Sequence, residues 1–200
     1  MTRQTLHPKD DILDAARALV LERGVHSATV DSISRHSRAP VGSLYHHFGS
    51  RDHLLAEMWV RAVRRSQAAF IAAVRHTDPE QAAVDAALSI YDFVREHPAD
   101  ARLLASFRRE DLLREARRPS LIRDLEHLNQ PLRRAVTALA RRLFGRPTQG
   151  AIAQTLLVTI DLPMGAVRRY LLAGRGVPEL LREPLEAAVR AVIGKAMESS

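Results

Sequence analysis

The sequence predicts an all-helical protein, on three observations. Apolar residues recur at three- and four-residue spacings along most of the 200 residues. Residues that start and stop helices fall at the ends of those stretches. No alternating pattern of useful length suggests a strand, and there is no internal repeat or low-complexity segment. The length allows one large domain, or a small N-terminal module over 1–55 and a larger helical body over 56–200, with about nine or ten helices in all.

Residues 1–8 lack periodicity and read as a loose arm. From Lys9 to Arg23, Ile12, Ala15, Ala16, Leu19 and Val20 form one apolar stripe. Asp10, Asp11 and Asp14 sit near the positive end, and Gly24 is placed to end the helix. Val25 then packs back toward the core. Thr29 is suited to cap a second helix, with Asp31 in its first turn and Val30 and Ile33 inward. Ser37-Arg38-Ala39 makes a turn, and Pro40 suits the first position of a third helix, where a missing N–H costs nothing. Val41, Leu44 and Phe48 are expected to face inward. Gly49 ends that helix, and Ser50 caps a long fourth one with Leu54, Leu55, Met58, Ala62 and Val63 on its apolar side.

Asp78-Pro79-Glu80-Gln81 is a strong start for a fifth helix, which Val84, Ala87, Leu88, Tyr91 and Val94 carry to His97-Pro98. A further helix is expected over 100–117. Another opens at Pro119, kinks at Pro131 and ends at Phe144-Gly145. Residues 148–173 predict a helix bent near Pro163 and stopped by Gly174, and a last helix covers Glu179 to Met197.

Composition narrows the function. The longest uninterrupted apolar run, Ala68 to Val74, is far short of the roughly 18 residues of a membrane span. The first residues carry no apolar core of a signal peptide. A cytoplasmic protein without membrane contact is expected. With no cysteine, Gly-rich phosphate loop or nucleophile elbow, the sequence does not read as an enzyme, and no cofactor is expected. Adjacent His46 and His47 point to different sides of a helix, and no metal site is expected either.

The net charge of +7 is a weaker clue than it looks. Residues 1–60 hold seven Lys/Arg and seven Asp/Glu, so the whole surplus lies further along. Arginine outnumbers lysine 28 to 2, and the Arg doublets along the later helices read as solvated faces. Charge is instead local: between Ser32 and Arg51 there are three Arg, three His and no carboxylate, with Tyr45 and Phe48 interleaved. A short basic helix bearing an aromatic suits a DNA major groove.

The stretch TVDSISRHSRAPVGSLYHHFGSR, and above all VGSLYHHFGSRDHLL, resembles the TetR/AcrR family of bacterial transcriptional regulators over about residues 9–56. Thr29, Val30, Ile33, Gly42, Leu44, Tyr45, His47, Phe48 and the Leu54-Leu55 pair carry the match. The chain departs from the family with Arg38 where glycine is usual, Pro40 where Ser or Thr often caps, and Arg51 where lysine is usual. The resemblance implies a homodimeric, ligand-responsive repressor that binds double-stranded DNA at a palindromic operator. It places Thr29, Tyr45, His47 and Arg51 on phosphate, and Arg38 in the DNA-facing turn. Val41, Gly42, Ser43 and His46 would approach base edges. The effector would be a small molecule of unknown identity, in a pocket with Trp59, Tyr91, Phe107, Asp161 and Met164 as candidate walls. The dimer contact would be made by 148–197.

Overall fold

Helix α1 spans Lys9–Arg23 and ends at Gly24, whose φ of 82° is open to glycine. A single 3-10 turn, Val25–Ser27, leads to α2, Val30–Ser37, and α3, Val41–Phe48, follows. Then come α4 (Arg51–Ala73), α5 (Pro79–Glu96) and α6 (Pro98–Ser106). Helix α7 is Gln130–Phe144, α8 Gln149–Leu156, α9 Leu162–Leu172 and α10 Arg182–Glu198. This computed structural model describes residues 8–107 and 127–198. The expected N-terminal arm, the helix of 100–117 beyond Phe107 and the start at Pro119 lie outside them. Among the described residues there is no strand, and the protein is all-helical.

Two compact units divide the described residues: 8–63 with 102–107, and 64–101 with 127–198. The division falls inside α4, eight residues beyond the boundary expected at 55, because Met58 and Ala62 belong to the first unit's core. That core joins Ile12, Ala16, Leu19 and Val20 of α1 to Ile33 of α2, Leu44 and Phe48 of α3, and Leu54, Leu55 and Met58 of α4. Each is almost free of solvent exposure, so each side chain larger than that of Ala16 contributes about 1.5–3 kcal/mol by leaving water. Arg61 ties α4 to α1, with Nη1 donating to the Asp10 carboxylate at 2.7 Å and Nη2 to that of Asp14.

In the second unit Asp78 caps α5 by accepting from the Glu80 N–H at 3.0 Å. Gln81 does not reach back to complete a capping box; it binds Asp85 and Arg190 instead. Pro131 stands in the first turn of α7, where a proline is tolerated, rather than kinking a longer helix. The bend expected at Pro163 takes another form: α8 passes into a π turn over Leu157–Asp161, and α9 starts behind it with Pro163 in its first turn. The π turn takes up the irregularity that a proline forces on a helix. Thr155 and Thr159 are buried there, their hydroxyls donating to the carbonyls of Ala151 and Thr155.

Several Arg doublets are not simple solvated faces. Arg142 donates to the carbonyls of Val74, His76 and Thr77, closing the end of α4. Arg65 pairs with buried Asp100 at 3.1 Å, and Arg169 stacks on Tyr170. The doublets at 108–109 and 117–118 lie outside the described residues.

Arg38 is the one described residue other than glycine with a positive φ, at 58°, and it ends α2 in the left-handed conformation. An L side chain there costs about 1 kcal/mol. Arg38→Gly is therefore expected to raise unfolding stability by about 0.5–1 kcal/mol in a urea titration; unchanged or lower stability would show the turn is relaxed.

A helix-turn-helix as the candidate DNA interface

Local sequence chemistry builds the turn between α2 and α3. Thr29 caps α2, its Oγ1 accepting from the Ser32 N–H at 3.2 Å. Serines close the other end: Ser37 Oγ donates to the Ile33 carbonyl at 2.8 Å, and Ser34 Oγ to the Ala39 carbonyl at 2.7 Å. Ala39 is buried under the turn. Pro40 is the N-cap of α3 rather than its first residue and offers no side-chain cap; the Ser43 N–H bonds its carbonyl at 2.8 Å.

Burial of Leu44 and Phe48 fixes the rotation of α3. With 3.6 residues per turn, seating positions 44 and 48 sends 42 and 46 to the opposite side, with 43 and 45 beside them. Gly42, Tyr45 and His46 are exposed, Tyr45 to 53%, while Ser43 and His47 are half-buried. Val41, expected to face inward, is on the buried side by this rotation but is 37% exposed. The reason is its place one turn before Leu44, at the rim of the buried stripe. His47 sits between the rings of His46 and Phe48, at 5.6 and 5.9 Å.

Arg35, His36 and Arg38 are exposed beside the outer band of Gly42, Tyr45 and His46. Arg51 differs from expectation. Its guanidinium is turned inward, with Nε donating to the Ala28 carbonyl at 2.8 Å and Nη2 to that of Val25 at 2.6 Å. The structure thus gathers Arg38, Val41, Gly42, Ser43, Tyr45, His46 and the capping Thr29 on one helix-turn-helix, and leaves Arg51 engaged below it.

One cluster escaped the sequence reading: His53 Nε2 lies 2.9 Å from the Glu57 carboxylate, which also pairs with Lys9. The spacing of four on one helix was its visible signal. Lys9 in turn lies over the Phe48 ring, 5.4 Å from its centre, so the cluster braces α3 against α1 and α4. Among the described residues, no three His, Asp or Glu converge in a way that could hold a metal.

The candidate pocket residues are divided between the two units. Trp59 and Phe107 pack against the first unit's core. Tyr91 is fully buried in the second unit, its hydroxyl donating to the carbonyls of Pro178 and Glu179 at 3.0 and 3.2 Å. That hydroxyl also accepts from Arg95 at 3.3 Å and pushes the guanidinium pKa above its ordinary value. Asp161 is exposed and Met164 half-buried. None of the five lines the cavity of about 370 Å³ in the second unit. Its walls include Arg65, Asp85, Phe93, Glu96 and Arg182.

The geometry of the first unit defines a helix-turn-helix module in an all-helical chain. Residues 12–58 match the family described as bacterial regulatory proteins, tetR family. Over 51 residues the chain is 41% identical to an uncharacterized HTH-type transcriptional regulator of Mycobacterium tuberculosis, covering 25% of this chain and 26% of that one. Over 59 residues it is 37% identical to the HTH-type transcriptional regulator UidR of Escherichia coli K12, covering 30% of each. These alignments span less than a third of the relatives' length. Among solved structures, a transcriptional regulator from Rhodococcus sp. RHA1 superposes with a TM-score of 0.65 at 23% identity, over 96% of both chains. FadR of Bacillus subtilis, solved with stearoyl-CoA, does so with a TM-score of 0.66 at 12% identity, over 94% of this chain and 96% of its own. The likeness to the tetR family of bacterial regulatory proteins thus covers the helix-turn-helix segment of the chain, and the likeness to solved structures extends the fold beyond it.

At Gly42 an added Cβ would meet no atom within 4 Å. Gly42→Ala is therefore expected to raise stability by about 0.5–1 kcal/mol, through the unfolded chain's lost freedom. A fall in the thermal midpoint would show that the helix face is more crowded than described.

Proposed function

We propose that this chain is a homodimeric transcriptional repressor that leaves a palindromic DNA operator when a small molecule binds its second unit. The observation that carries the DNA reading is the outer band of α3, where burial of Leu44 and Phe48 projects Gly42, Tyr45 and His46 outward. An eight-residue helix whose outer face carries Tyr45 and His46 suits a major groove, and Gly42 permits close approach to base edges. Tyr45, His47 and Thr29 would donate to phosphate, with Arg38 adding charge from the turn. Val41, Ser43 and His46 would read bases. Such a regulator works in the cytoplasm, where bacterial DNA is.

The dimer reading rests on an apolar surface. Gln149–Leu172 is long and apolar enough to cross a membrane by length and composition, and only 33% of its most apolar stretch is buried. Leu157 and Leu172 are 48% and 58% exposed. A second copy packed against 148–197 would cover that surface, in keeping with the two-fold symmetry of a palindrome. The effector reading draws on the fold, which the Bacillus subtilis neighbour shares while bound to stearoyl-CoA. Such an effector acts only by preferring the conformation unable to bind DNA, and DNA must weaken its binding by the same factor.

Selection from a random DNA pool is expected to return a palindrome whose half-sites lie about one helical turn or more apart, bound in a salt-sensitive manner. Gly42→Ala should lose affinity for it despite the gain in stability. No enrichment, or enrichment without two-fold symmetry, would contradict the reading. Sedimentation should give a dimer, and Leu157→Glu a folded monomer; an unchanged mass would place the interface elsewhere.

A further inference from the structure

Arg51 opens α4 with the positive charge that suits a phosphate, yet its side chain is only 24% exposed and its donors point into the protein. Nε reaches the Ala28 carbonyl at 2.8 Å, Nη2 reaches the Val25 carbonyl at 2.6 Å, and Nη1 lies 3.5 Å from the Asp52 carboxylate. Those two carbonyls belong to the short turn immediately before Thr29, which caps α2. Ala28 is fully buried, so its carbonyl relies on a protein donor.

We propose that Arg51 is a positioning residue for DNA recognition: its guanidinium bridges the Val25 and Ala28 carbonyls and so sets Thr29 and the start of α2, rather than gripping phosphate itself. The proposal rests on the DNA-binding reading above. A planar guanidinium presents two donors in a fixed fork, and a fork can span two carbonyls at once. Hydrogen bonds from a charged donor are the strong ones, and swinging Arg51 out to a phosphate would break both and leave a buried carbonyl unpaired. Arg142 does the same work in the second unit, where one guanidinium gathers the carbonyls of Val74, His76 and Thr77. Within the turn, the Ala28 N–H also bonds the Val25 carbonyl at 3.2 Å, and the Ser27 N–H bonds that of Gly24 at 3.2 Å. Arg51 therefore braces a turn whose own bonds lie at the upper end of the ordinary range. Thr29 is exposed beyond it, where a shift of the turn would move it against the DNA backbone.

Lysine separates charge from geometry, because it keeps the former and loses the fork. The full chain, Arg51→Lys and Arg51→Gln are compared on DNA selected by the full chain. Binding is measured over a range of salt, at a temperature where circular dichroism shows each protein folded. Positioning predicts that both variants bind about tenfold more weakly, on every sequence, with the salt dependence of the full chain. It also predicts severalfold faster amide exchange at Ser27 and Ala28 in both variants with no DNA present. If Arg51→Lys binds like the unsubstituted protein while Arg51→Gln loses about one unit of salt slope, Arg51 grips phosphate and the proposal fails. It fails equally if the variants lose only thermal stability and bind DNA normally once folded. If the unsubstituted protein binds no DNA, the DNA reading is what falls. Unchanged exchange at Ser27 and Ala28 would then still refute the Arg51 bridge.

Discussion

The seating of Leu44 and Phe48 in the first unit's core is the constraint on which the rest depends. These two side chains, four apart on an eight-residue helix, fix its rotation by themselves. Everything outward on α3 follows from that rotation: Gly42 and His46 lie opposite, and Tyr45 and Ser43 beside them. The pocket that receives the pair is made by α1, Ile33 and the Leu54, Leu55 and Met58 stripe of α4. A helix of eight residues would not hold its shape alone in water. Tertiary burial supplies the stability, and the polar face is left free for chemistry.

Arginine serves two purposes in this chain, and only geometry tells them apart. Arg61 grips the carboxylates of Asp10 and Asp14, Arg142 gathers three carbonyls at the end of α4, and Arg51 bridges two before α2. Each closes a loop or joins two helices within its own unit. Arg38 stands instead at the exposed end of α2, in a backbone conformation that glycine would adopt more easily. Its retention at about 1 kcal/mol of strain has a physical rationale if the charge is wanted at that spot.

The sequence made α1 legible to its ends, because five apolar positions, an acidic first turn and a terminal glycine all agreed. Thr29, Ser50 and Asp78 were legible as caps for the same reason: short oxygen-bearing side chains before a periodic run. Local rules failed where a neighbour in space decides. The inward turn of Arg51 depends on two carbonyls more than twenty residues earlier, and spacing carries no trace of them. Pro131 and Pro163 were readable as interruptions, but not as the opening of α7 or the π turn before α9. Pocket walls were least legible of all, since aromatic residues at helical spacing look alike whether they line a cavity or fill a core. Tyr91, buried with its hydroxyl satisfied, does the latter.

The outer band of α3 is proposed to read DNA. Amide hydrogen exchange, on and off a selected duplex, tests it most directly. Slowing on DNA is expected to centre on Thr29 to His47 and to include the amides of α3. Slowing confined to other helices, or none at α3 in a bound complex, would contradict it.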